Sequence, residues 1–86
     1  MSAHPVTLSD LPLHAAAQVE EVQDMHANDA IARRLRELGF VGGEDVRVVA
    51  RGPLGSEPLL VQVGFTRFAL RRSEAARIRV RNGGTA

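Results

Sequence analysis

Apolar residues recur along the chain with two different periods, and the change of period marks its elements. Between Asn28 and Gly39, Ile31, Leu35 and Leu38 fall at i, i+4 and i+7, the spacing of one helix face. Asn28 or Asp29 can cap the first turn, and Arg33 with Glu37 forms an i,i+4 pair. Gly39 suits the left-handed residue that ends many helices, with Phe40 or Val41 supplying the accompanying apolar contact. So short a helix is marginal alone, so its apolar stripe must pack on a sheet.

The other segments alternate with period two. From Ala15 to Gln23, Ala17, Val19 and Glu21 oppose Gln18, Glu20 and Val22; the spacing of three between Val19 and Val22 predicts a strand that ends early or carries a bulge. Asp45–Arg51 places Val46, Val48 and Ala50 on one face, and Pro58–Val63 places Leu59, Val61 and Val63 together. Thr66–Arg71 sets Phe68 and Leu70 opposite Arg67 and Arg71, and Arg77–Arg81 turns Ile78 and Val80 inward. Thr7–Leu13 reads as an extended lead-in, since Pro12 disfavours helix at Leu11. Gly42 and Gly43 turn the chain from helix to strand, Gly64 with Phe65 makes a tight hairpin, and Ser73 caps a single helical turn. Gly52–Pro58 is a stiff, mostly polar loop. Short strands at close spacing with one helix predict a mainly β fold, a small and strongly bent barrel.

Composition narrows the chemistry. Eighty-six residues make one small domain, with little room for a deep substrate cavity. No run approaches the ~18 apolar residues of a membrane span, and the first residues lack the basic and apolar regions of a signal peptide, so a cytoplasmic protein is expected. The absence of cysteine excludes disulfides, thiolate ligands and a thiol nucleophile. The formal net charge of +1 hides an asymmetry: residues 1–45 hold eight acids and three arginines, a net of −5, whereas residues 46–86 hold eight arginines and two acids, a net of +6. Every basic residue is Arg, the side chain suited to planar contacts with carboxylate or phosphate. Such a half fits a nucleic acid, an acidic protein surface or simply water.

The candidate constellations are mostly unsupported. The glycines at 39, 42 and 43 follow a helix and precede a strand, the reverse of a phosphate-binding P-loop, and no Lys or Ser/Thr follows them. His4, His14 and His26 lie far apart; Asp24, His26 and Asp29 form the one local group of metal-ligand types, and nothing closes a ligand set around them. No serine has an evident base, so no catalytic residue and no cofactor is expected. With Phe40, Phe65 and Phe68 as the only aromatics, base stacking is poorly provided for and no nucleic-acid partner is expected.

Taken in order, LSDLPL, LRELGF with its glycine turn, VRVV, PLGSEP, FALRRSEA and IRV resemble the FeoA family, the ferrous iron transport A proteins, over about residues 7–81. One departure is LPLHAAAQV, where that family usually places a glycine before the first strand. The resemblance implies a five-stranded SH3-like barrel with one helix inserted after the first strand, residues 1–6 and 82–86 being flexible tails. It implies a non-enzymatic accessory of FeoB, a membrane iron transporter with a cytoplasmic GTP-binding domain, which would recruit the protein, a monomer or weak homo-oligomer, to the inner face of the membrane. Arg33, Arg34 and Arg36 on the helix and Pro53, Leu54 and Gly55 in the stiff loop are the candidate contacts. The alternatives are a module responding to Fe²⁺ or Mn²⁺, like the SH3-like domains of metal-dependent repressors, and a weak nucleic-acid-binding barrel.

Overall fold

Val46, Val48, Leu59, Val61 and Val63, the residues that alternate inward by sequence, line the inner face of a single antiparallel sheet and are all buried. The computed structural model describes residues 6–54 and 57–82. Along the chain come β1 (Val6–Thr7), a 3-10 turn (Leu8–Asp10), β2 (Ala17–Val22), α1 (Ala30–Leu38), β3 (Asp45–Leu54), β4 (Glu57–Val63), β5 (Thr66–Leu70), α2 (Arg72–Ala75) and β6 (Ile78–Asn82). The six strands run in the order β1-β6-β2-β3-β4-β5, so the sheet bends around its core without closing, and β1 and β5 are its two edges.

The break in alternation in β2 is a bulge: the pairing of β2 with β6 shifts between Val19 and Glu21. The extra residue returns Val22 to the inner face, so Ala17, Val19 and Val22 are all buried. Helix α1 is capped by Asp29, whose side chain accepts from the N–H groups of Ile31 and Ala32. It ends at Gly39, with φ +117. There the Gly39 N–H donates to Arg36 and the Phe40 N–H to Leu35, satisfying carbonyls the helix leaves open. Phe40 is thereby driven into the core, its ring centroid 5.9 Å from that of Phe68. Val41 stays exposed.

Several expectations are corrected. The sheet has six strands rather than five, because Val6 and Thr7 pair with Val80 and Arg79; two residues are too few to show a period. The helix accordingly follows the second strand, and the lead-in after Thr7 coils into the 3-10 turn. Val6 and Asn82, expected in the tails, begin β1 and end β6; residues 1–5 and 83–86 lie outside the described residues. The stiff loop is largely strand: β3 continues to Leu54 and β4 starts at Glu57. Its glycines and prolines hid this, since both are depleted in strands. Gly52 has a steric reason to be there, for a Cβ would collide with the backbone carbonyl of Glu57. Ile31 is exposed, and Ala32 is buried in its place beside Leu35. Arg71, not Ser73, precedes α2, and its N–H donates to Glu74 Oε1 at 2.8 Å. Where the related pattern has glycine, His14 adopts φ 65, a conformation that glycine takes most easily.

Replacing Gly39 by Ala forces a Cβ into the left-handed region and is expected to lower unfolding free energy by about 1–2 kcal/mol. That is less than the about 2–5 kcal/mol expected for Leu59→Ala, which empties a fully buried site. Urea denaturation of the two variants checks both the size and the order.

Candidate functional site

Two charged side chains are buried among the described residues, and they meet. Asp29 and Arg77 are 3% and 7% exposed, and Arg77 Nε donates to Asp29 Oδ2 at 2.8 Å. The same oxygen accepts from the Met25 N–H at 2.9 Å, while Oδ1 accepts from Ile31 and Ala32 at 3.1 and 3.2 Å. Arg77 Nη1 donates to the Ser73 carbonyl at 2.8 Å, and the Arg77 carbonyl accepts from the Gln23 N–H at 2.7 Å. One ion pair therefore ties the loop after β2, the start of α1, helix α2 and the entry to β6. The hydrogen bond from Arg77, then those from the backbone of Met25 and Ala32, hold the Asp29 carboxyl well below the usual carboxylate range, against the opposing effect of burial.

That node ties the start of α1 to the entry to β6. Between α1 and β5 lies an open groove of about 360 Å³, bordered by Ile31, Arg34 and Leu38 from α1 and by Phe68 and Leu70 from β5. Ile31 is 39% exposed at its rim. Arg33 and Arg34 are exposed, and their guanidinium groups make no hydrogen bond or ion pair among the described residues. Arg36 differs: its Nη2 donates to the Val22 carbonyl at 2.8 Å and to Asp24 Oδ1 at 2.9 Å, so its charge is already matched. Arg33 likewise forms no ion pair with Glu37. Pro53 is exposed in the hairpin between β3 and β4, Leu54 ends β3, and Gly55 lies outside the described residues. No hydrogen bond or ion pair among the described residues links that hairpin to the arginines of α1.

The sequence-level metal group is placed in structural work. Asp29 is occupied by backbone N–H groups and Arg77, and Asp24 by Arg36. His26 Nε2 stands 3.9 Å from Asp29 Oδ1, while its Nδ1 is 3.0 Å from the Ala27 carbonyl. Among the described residues no group of three or more His, Asp or Glu is arranged to hold a metal ion. No described helix is long and apolar enough to cross a membrane. Sequence patterning missed Arg77, because a charged residue beginning an alternating strand reads as solvated. It also missed the exposure of Ile31, which the helical period alone places inside.

A small, mainly β domain of SH3-like type, with one helix standing over an open sheet, is what these features define. The family model for the FeoA domain matches residues 6–82, and the chain belongs to that family, which is associated with ferrous iron transport and is not known as a family of enzymes. The FeoA of Stenotrophomonas maltophilia, solved in complex with zinc, is 76% identical over 88% of this chain and 89% of its own, with a TM-score of 0.82. It was described as a prokaryotic SH3-domain protein and put forward as a ferrous iron transport activating factor. The FeoA protein of Chlorobium tepidum is 33% identical over 92% of this chain and 71% of its own, with a TM-score of 0.78. IdeR of T. acidophilum, at 18% identity over 93% of this chain and 35% of its own, shares the fold with a TM-score of 0.70. No curated protein sequence matches the chain significantly.

The Asp29 carboxyl is harder to protonate in the folded chain than in the unfolded one, where 3.8 is its ordinary value. Its contribution to stability is therefore complete above that value and is lost as the pH falls through it towards the lower folded value. Asp29→Asn should lower the urea midpoint at neutral pH. It should also flatten the decline of stability below about pH 4, where the wild type loses this contribution. Midpoints measured from neutral to acid pH in both proteins check the sign.

Proposed function

We propose that this protein is a cytoplasmic accessory of ferrous iron uptake that docks on the GTP-binding domain of a FeoB-type membrane transporter and alters its activity. One observation carries this reading. On α1, Arg34, whose guanidinium makes no ion pair among the described residues, and the half-exposed Ile31 border a groove of mixed polarity, with the exposed Arg33 elsewhere on the same helix. Arg is enriched among the residues that carry binding energy at protein interfaces, and an exposed Ile31 beside it adds apolar surface for a partner to bury. Family membership directs the choice of partner, as does the description of the S. maltophilia protein as an activating factor. The hairpin residues Pro53, Leu54 and Gly55 belong to the proposal as a second contact.

The test is co-purification of the full chain with the transporter's cytoplasmic domain, followed by GTP hydrolysis with and without the chain. Arg34→Glu combined with Ile31→Asp changes only exposed positions and should leave the circular dichroism spectrum unaltered. Its affinity is expected to fall by about tenfold or more, as at interface positions that carry binding energy. Binding at wild-type strength would remove α1 from the interface, and no binding by the wild type would remove the partner.

A further inference from the structure

The two edges of the sheet are not equivalent. β1 is two residues long, whereas β5 offers five, Thr66–Leu70, beside the groove. The hairpin fixes which of its backbone groups are free. Val63 and Thr66 flank the two-residue turn, where Gly64 has φ +58, and so form the hydrogen-bonded pair of that hairpin. Phe68 and Leu70 continue the bonding towards Val61 and Leu59 on β4, which leaves the N–H and C=O of Arg67 and Ala69 pointing off the sheet. The Gly64 N–H, of opposite parity on the β4 side, donates to Asp45 at the start of β3 at 3.1 Å, in agreement with that assignment. Among the described residues nothing bonds to the outward groups of Arg67 and Ala69, and both residues are exposed.

Side chains on this edge carry a pattern of their own. Phe68 and Leu70 turn to the inner face with Val61 and Leu59 and line the groove; Arg67 and Ala69 turn to the other face, with Ala69 also bordering the groove, and the exposed Arg71 follows the strand. A strand added here would alternate in the same way, so its inward residues would meet Ile31, Leu38, Phe68 and Leu70 in the groove and its outward residues would meet Arg67 and Arg71. Arg34 lies at the groove as well; Glu74, which also borders it, already accepts from the Arg71 N–H. A second copy of this chain is a poor occupant, because pairing two such edges sets arginines against arginines on one face.

We propose that the β5 edge takes up one extended segment of a partner protein as an added strand, a segment in which apolar and acidic residues alternate. The apolar residues lodge between α1 and β5, and the carboxylates face Arg67 and Arg71. This rests on the docking function proposed above and specifies how the docking is made.

The experiment uses the full, isotopically labelled chain and two synthetic peptides of equal composition. One has Glu-Val-Glu-Val-Glu at its centre, and in the other the valines and glutamates are segregated. The alternating peptide is expected to bind, more weakly as salt is raised, and to slow amide exchange of Arg67 and Ala69 by about tenfold or more. Ala69→Pro removes one outward N–H without touching the ladder to β4 and should abolish binding; Arg67→Glu should weaken it. Equal binding of both peptides, unchanged exchange at Arg67 and Ala69, or undiminished binding by Ala69→Pro would overturn strand addition. Should Ala69→Pro still bind the transporter's cytoplasmic domain at full strength, strand addition fails while docking itself stands.

Discussion

The ion pair between Asp29 and Arg77 is the constraint on which the arrangement of this small domain depends. Removing two charges from water is costly unless each finds good partners, and here both do. Asp29 takes three backbone N–H groups and a guanidinium; Arg77 also donates to the Ser73 carbonyl in α2. The pair bridges 48 positions of sequence and lies where the loop after β2, two helices and β6 converge. A nine-residue helix has little independent stability, so its orientation is set by that bridge and by the cap-and-glycine geometry at its two ends.

Function follows from what this placement leaves uncovered. With its N-terminus tied to Arg77 at the entry to β6 and its C-terminus turned by Gly39 so that Phe40 reaches Phe68, α1 leaves a groove between itself and β5. The gap is lined by apolar side chains together with Arg34 and Glu74, next to a strand edge whose outward backbone groups have no partner among the described residues. In a member of a family associated with ferrous iron transport, this surface is the one on which the proposed docking rests. The charge asymmetry of the chain acquires a location too. Two acids of the first half are matched by arginines of the second, Asp29 by Arg77 and Glu21 by Arg79, and Asp24 by Arg36 within the first half, whereas Arg33 and Arg34 have no ion-pair partner among the described residues.

Most of the fold was legible because short-range patterns determine it. The inward alternation of Val46, Val48, Leu59, Val61 and Val63, the bulge signalled by Val19 and Val22, the glycine at the end of α1 and the hairpin at Gly64 all depend on neighbours within a few residues. What escaped depends on distant partners. Arg77 reads as a solvated strand residue until Asp29 is brought beside it. Ile31 fits the helical period yet is exposed at the groove, while Ala32 is buried in its place. Gly52 and Pro53 read as a loop, yet β4 runs alongside them as the partner strand. The open β5 edge is a property of strand order, and no single segment encodes strand order.

The most direct measurement of the central claim is a double-mutant cycle at the ion pair, with Asp29→Asn, Arg77→Gln and the combined variant unfolded in urea at neutral pH. If the pair acts as one unit, each single substitution strands a buried partner, and the combined variant should be scarcely less stable than the worse of the two. Losses that simply add would contradict the account, since Asp29 and Arg77 would then stabilise the fold independently and α1 would owe its position to packing alone.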